Sequence, residues 1–189
     1  MMPGKNILLI LLIIISFSSF AQSKFIAGAS FNIGFPSGSF ADIATTGIGG
    51  SIIGEYAFNE KISSTLSVGY QNFTGEIPVI AVQGVMVDIS VNSIPVLAGI
   101  KYFFSKDFFG TLEAGAHFVK VNAHVSDLYD EEIYSTDYEA KFGGGIGAGY
   151  RNNLSDQSVF ELSALYQVVE DDYNSFALRF GILILLDKL

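Results

Sequence analysis

The sequence contains no cysteine. That absence removes disulfides, thiolate nucleophiles and Cys-ligated zinc, and it leaves no acceptor for a lipid anchor behind the apolar N-terminal stretch. Basic residues are scarce: ten Lys and Arg stand against nineteen Asp and Glu, a formal net charge of −9. A nucleic-acid partner would call for the opposite balance. Long apolar runs are missing as well. Half of the residues are hydrophobic, yet beyond the N-terminal stretch no run approaches the ~20 residues that a membrane-spanning helix needs.

The N-terminal stretch itself has the build of an export signal. Lys5 precedes an unbroken aliphatic run over residues 7–15, and Ser19 and Ala21 sit at the −3 and −1 positions of a cleavage site before Gln22. Residues 1–21 therefore read as a signal peptide, and 22–189 as one exported domain. An anchor helix is the rival reading, but the apolar core ends at Ser16, well short of ~20 residues.

What the rest of the chain has is a period of two. Phe25, Ala27, Ala29, Phe31, Ile33 and Phe35 alternate with Gly28, Ser30, Asn32 and Gly34. Seven further segments behave alike, over 48–58, 62–70, 94–104, 108–118, 142–150, 160–168 and 176–184. Segments of ~10 residues suit strands that cross hydrocarbon at a tilt of ~40°. Short polar turns at 59–60, 105–107 and 152–157 alternate with longer links at 36–46, 75–92, 119–141 and 169–174. The pattern predicts an all-β, eight-stranded antiparallel up-and-down transmembrane β-barrel, with longer extracellular loops and with short turns and both termini in the periplasm. Tyr56, Phe58, Tyr102, Phe104, Phe108 and Tyr150 fall at strand ends, where aromatic girdles belong. A soluble barrel of the lipocalin sort also alternates, but its apolar face points inward. Here the face opposite the apolar residues carries glycine, serine and single charges, too small and polar for a dry ligand cavity.

Several stretches carry a resemblance. Residues 54–61 (GEYAFNEK), 94–104 (IPVLAGIKYFF) and Phe180-Gly181-Ile182 resemble the small outer-membrane β-barrel family common in Bacteroidota, similar in build to the OmpA and OmpX barrels. The Ala21-Gln22 junction is similar to signal junctions of that phylum. The resemblance covers the whole mature chain through motifs that are compositional. Such barrels often end on an aromatic residue, whereas this chain runs on to Asp187-Lys188-Leu189. The resemblance implies an outer-membrane location and brings no catalytic residues with it.

The inward faces hold Glu55, Lys101, Glu113, His117, Glu161 and Arg179. An eight-stranded barrel is just wide enough to be filled by side chains, so charges there must pair. Lys101 is expected near Glu113, and Arg179 near Glu161. Counting from the turn at 105–107 sets Lys101 level with residue 111. The same groups could instead line a proton or ion path. Gly143, Gly145, Gly147 and Gly149 occupy successive inward positions and leave space for bulky inward residues such as Leu97, Phe103 and Leu165. A plugged interior follows.

Motifs for chemistry are thin. Residues 143–148 (GGGIGA) loosely match a dinucleotide fingerprint, but no helix pattern follows them. His124, Ser126 and Asp127 are close in sequence, without further support for a catalytic triad. Asp127, Asp130, Glu131, Glu132, Asp137 and Glu139 lack the spacing of a calcium loop and read as a solvated acidic loop. No catalytic, cofactor or metal site is expected.

The most informative feature is a change of parity. In the fourth segment the apolar positions are even from Ile94 onward, but before it Val85, Val87, Ile89 and Val91 are odd. In the fifth they are even through Phe118, then odd at Val119, Val121, Ala123 and Val125. Pairing across the 105–107 turn sets residue 93 opposite about residue 119. Both switches then lie ~33 Å above the turn, beyond an apolar band of ~25 Å. The strands are expected to leave the lipid there and continue as an extracellular ribbon. Its Val-rich face needs a cover: either the chain's own loop, through Leu128, Tyr129, Ile133, Tyr134 and Tyr138, or a partner.

The sequence thus predicts a non-catalytic, monomeric outer-membrane barrel with a surface-exposed ribbon, touching lipid and an extracellular or envelope protein. Its expected role is envelope-structural or surface-interaction, adhesion-like. A narrow channel for ions or small solutes is the alternative, and a loop-borne lipid-modifying enzyme a remote one.

Overall fold

The computed structural model describes residues 24–78, 86–126 and 131–186. The N-terminal segment read as a signal peptide lies outside them, as do Val85, Asp127, Leu128, Tyr129 and Asp130. The strands are β1 (Lys24–Pro36), β2 (Gly47–Ala57), β3 (Ile62–Pro78), β4 (Met86–Phe103), β5 (Phe108–Ser126), β6 (Glu131–Ser135), β7 (Glu139–Asn153), β8 (Ser158–Val169) and β9 (Ser175–Leu185). Every pairing is antiparallel, in the order β4-β3-β2-β1-β9-β8-β7-β5, and a further β4–β5 pairing closes the ring. The result is an eight-stranded barrel. Strand β6 is additional, hydrogen-bonded to the outer part of β5 above the point where β7 leaves it.

Alternation is what closes this sheet. Outward positions form an apolar belt and carry Ile52, Leu66, Leu112, Ile146 and Ile182, all largely exposed. Inward positions carry small or polar residues that fit a narrow bore. At one end three tight turns join the strands, fixed by main-chain bonds from Phe58 N to Ile62 O (3.0 Å), Phe104 N to Phe108 O (3.2 Å) and Leu154 N to Ser158 O (2.9 Å). The register sets Lys101 opposite Thr111 and Ser93 opposite Val119.

At the other end β3, β4 and β5 run on past the barrel, and β6 adds to them. The pleat does not break: Leu97, Ser93 and Val91 of β4 are all buried on one face. Only the side that is apolar changes. Below Ser93 the outward residues are apolar, whereas above it the inward ones are. The outward face there becomes an amide and hydroxyl ladder. Asn72 donates from Nδ2 to Ser90 Oγ (2.8 Å) and Asn92 Oδ1 (2.9 Å), and the Tyr70 hydroxyl donates to Asn92 Oδ1 (2.5 Å). The apolar outer face thus gives way to a polar one at the height of Ser93 and Val119.

Candidate functional site

The interior is filled from end to end. At the turn end Ile26, Ile53, Val159 and Leu183 pack into an apolar floor. Close to it four charged side chains from four strands converge. Lys101 Nζ bonds Glu55 Oε2 at 2.9 Å and Glu161 Oε1 at 2.7 Å. Arg151 donates to Glu55 at 3.0 and 2.5 Å, and to Glu161 Oε1 at 3.1 and 2.7 Å. Two cations and two carboxylates give the cluster no net charge. Aromatic rings screen it: Lys101 Nζ lies 4.9 Å from the Phe109 ring, and the Arg151 guanidinium 4.8 Å from Phe103.

A second layer joins Arg179 to Glu113 by a two-pronged pair (2.8 and 2.6 Å), with Gln167 Nε2 donating to Glu113 Oε1 at 3.3 Å. The expected pairs Lys101–Glu113 and Arg179–Glu161 are replaced by these. Each expected partner is a diagonal neighbour along the ladder, since Glu113 lies opposite Gly99 and Glu161 opposite Gly181. In so narrow a bore the far wall is as near as the next strand, and a planar guanidinium gains more from a two-pronged carboxylate pair.

Arg151 was missing from the sequence reading. Its signal is parity: it continues the inward series Gly143, Gly145, Gly147, Gly149 by one step. Those glycines give the space expected of them. A Cβ at Gly147 would stand 2.8 Å from Leu165 Cγ, and one at Gly149 2.3 Å from the Phe109 ring. Leu165 and Phe109 are fully buried as a result; Leu97 is fully buried beside Gly115 of β5, and Phe103 is half-buried.

His117 sits higher, with Gln71, Ser93, Gln167 and Ser175, around a cavity of about 20 Å³. Its Nε2 and that of Gln71 are buried and make no hydrogen bond within the described residues. A second cavity, of about 30 Å³, separates the two charged layers and is lined by Lys101, Glu113, Glu161 and Arg179. Each has room for a water molecule or two. Neither is a bore.

Above His117 an apolar lid closes the barrel. Phe40, Ala44, Phe73, Val91 and Val119 form its core, with Ile43, Ile89, Val121 and Tyr173 packed against them. Phe40 belongs to a 3-10 turn over Gly38–Asp42 in the β1–β2 link. Its ring meets Phe73 at 4.9 Å and Tyr173 at 5.4 Å, both edge-on. Gly38 enters the turn at φ 63°, a conformation that glycine adopts without strain. Gly75 lets the turn approach β3, since a Cβ there would stand 2.0 Å from the Ile43 carbonyl oxygen. The β8–β9 link supplies Tyr173 after two aspartates in the left-handed region, Asp171 (φ 58°) and Asp172 (φ 62°). Ser37 N donates to Asn174 O (2.9 Å) and ties the two links together.

The inner part of the ribbon's Val-rich face is covered by the chain itself, through the links at 36–46 and 169–174; of the cover expected, Leu128 and Tyr129 lie outside the described residues. Val91 and Val119 are buried, and Ile89 and Val121 are packed against the lid. Val87 is half-buried, and Val125 lies on β5 opposite Glu132. Tyr134 and Tyr138 stay exposed instead of covering this face, and Tyr138 faces Lys120 at 5.8 Å. The link at 36–46 does the covering because it rises directly over the mouth. Its Phe40, Ile43 and Ala44 follow no strand period, which hid them in the sequence.

Residues 143–148 lie within β7, with no helix after them. His124 is on β5 opposite Asp88 and Ile133. Among the acids, Asp137 is exposed and Glu139 pairs with Lys141 at 2.7 Å. Among the described residues no three His, Asp or Glu are grouped to hold a metal ion.

A closed antiparallel barrel with an apolar outer belt, a filled bore and both strand ends at the turn side defines an integral membrane barrel. The chain belongs to the outer membrane protein beta-barrel domain family, whose pattern matches residues 7–182. That membership places it in the outer membrane. Among solved structures it is similar to the outer membrane protein OprG from Pseudomonas aeruginosa, at 12% identity and a TM-score of 0.58, covering 87% of this chain and 96% of that one. It is also similar to Ail, the attachment invasion locus protein of Yersinia pestis, at 16% identity and a TM-score of 0.50, covering 87% and 97%. Likeness at this level carries the fold alone. Among curated proteins none matches the sequence significantly.

Proposed function

We propose that this protein is a closed, non-conducting and non-catalytic barrel, exported by a cleaved signal peptide, that works as a monomer through its extracellular sheet. Its role is surface interaction, with the barrel as the membrane mount. The observation that carries this reading is the continuity of the plug. An apolar floor, two charged layers and an apolar lid follow one another along the axis, while four strands are built out beyond the lipid. A channel would invert that investment, with an open bore and short strands.

Two measurements test it, one on the purified full chain and one on cells. In planar bilayers the protein is expected to be silent, and a steady unit conductance would transfer the function to the channel reading. On cells, replacing the parts of β3–β6 that lie beyond Phe73, Val91 and Val121 by tight turns should keep the heat-dependent gel shift of a closed barrel. The same change should abolish attachment to a surface or partner cell. Unchanged attachment would overturn the interaction role.

A further inference from the structure

Three observations meet at β6. The first concerns its main chain. Strand β5 has β4 along one side, and β7 then β6 along the other, so β6 ends the sheet order and its outer edge pairs with no strand among the described residues. Thr136 N donates to Val121 O at 3.0 Å, and Val121 N donates to Thr136 Oγ1 at 3.0 Å. Even positions therefore turn their main chain toward β5. By alternation, Ile133 and Ser135 direct N–H and C=O away from it.

The second concerns the inner face of the protruding sheet. The lid covers the row of Phe73, Val91 and Val121. The next row outward is Ile89, Ala123 and Tyr134, aligned across β4, β5 and β6. Ile89 still packs against the lid, but the cover does not reach Tyr134, which is 60% exposed. The apolar strip thus runs up to the free edge and stops.

The third is charge. Between Lys120 and Lys141 lie Asp127, Asp130, Glu131, Glu132, Asp137 and Glu139, with no Lys or Arg. Lys141 is held by Glu139 at 2.7 Å and Asp171 at 2.6 Å, and Glu170 and Asp172 stand beside Asp171. A second copy would bring the same acids against this edge and be repelled. A basic chain would be steered to it.

We propose that the outer edge of β6 accepts an extended, basic segment of another protein as an added strand. Ile133 and Ser135 supply main-chain bonds, the strip around Tyr134 takes the segment's apolar side chains, and the acidic residues of β6 itself, with Asp137 just after it, meet its Lys or Arg residues. The inference rests on the surface-interaction reading and names the chemistry of the partner.

The test uses the full-length protein in lipid nanodiscs and a fluorescent nonapeptide of alternating lysine and valine, followed by anisotropy. A second peptide of the same charge has a proline in place of its central valine. The alternating peptide is expected to bind at least tenfold more tightly than the interrupted one. Ile133→Pro removes an outward N–H, a change that edge strands tolerate, and should weaken binding at least tenfold with the heat-dependent gel shift intact. Ser135→Pro repeats the test one outward position along. Glu131→Gln with Glu132→Gln and Asp137→Asn should weaken binding and flatten its salt dependence. Equal binding of the two peptides, or wild-type binding by both proline variants, would reduce the effect to charge adsorption and overturn strand addition. Absence of binding to the alternating peptide also overturns it, while the surface role is judged separately by the attachment of cells carrying the trimmed sheet.

Discussion

Strand β5 passes through two solvents on one unbroken pleat. Within the barrel its outward residues are Leu112 and Phe118, and its inward ones Thr111, Glu113 and His117. Beyond Val119 the outward residues are Lys120 and Asn122, and the inward ones Val119 and Val121. Each half is alternating and each is stable, yet they are wetted on opposite sides. In lipid the apolar residues face the surroundings, and the polar ones must satisfy each other inside. In water the usual order returns, with an apolar core beneath the lid. A strand pattern therefore reports its surroundings through which face is apolar, and the height at which the sign changes measures the membrane boundary.

The comparison breaks most sharply in the barrel half, because charges held there are cut off from bulk water. Glu55 is almost fully buried and contacts both Lys101 and Arg151. Glu55→Ala leaves two cations with Glu161 as their shared anion. Removing one partner of a buried pair costs about 3–5 kcal/mol, to be read as a lower midpoint of urea unfolding in detergent or bilayers. Replacing Glu55 by Gln together with Lys101 by Met restores neutrality and should recover much of the loss. Equal losses in the single and paired variants would show that the cluster acts through packing instead of charge.

The two halves also differ outside. Leu112 and Asn122 both face outward on β5, ten positions apart in sequence. Leu112→Arg places a cation in the middle of the apolar belt, at a cost of about 2–4 kcal/mol, whereas Asn122→Arg lies above it and should cost about 0–1 kcal/mol. The same unfolding measurement applied to both sets the boundary between them. Similar costs at the two positions would mean that the belt extends over the protruding sheet and that the boundary at Ser93 and Val119 is misplaced.

How much of this could be read from the sequence depends on what carried each feature. The eight barrel strands rest on local alternation, and the ribbon on a parity change at Ile94 and Phe118, so both were legible. The inward charges were legible one by one, but their partners were not. A count along the ladder places Lys101 beside Glu113, whereas the closed ring brings Glu55, Arg151 and Glu161 across the bore. Arg151 is hidden because the apolar alternation ends at Tyr150, where the sequence turns polar ahead of the next turn. Strand β6 is five residues within an acidic link, too short for periodicity to stand out. The lid was hidden most deeply, since Phe40 and Tyr173 lie in different links and meet only after the barrel closes.

That lid gives the mildest test. Phe40 is buried between Phe73 and Tyr173, and truncating a buried phenylalanine in a core costs about 3–5 kcal/mol. The cost to the whole barrel is capped, however, by what it takes to undock the turn, because the strands remain paired when the turn lifts. Phe40→Ala should therefore lower the unfolding midpoint less than Glu55→Ala or Leu112→Arg does. Its main effect should be local, on the amides of Ile43 and Ala44, which donate to Phe40 O at 3.3 and 3.0 Å, seen as faster hydrogen exchange. Exchange at β2 and β8 in the barrel wall should hardly change. If exchange accelerated equally in the wall and in the turn, lid and barrel would form one cooperative unit. The protruding half would then be as firmly built as the half in lipid.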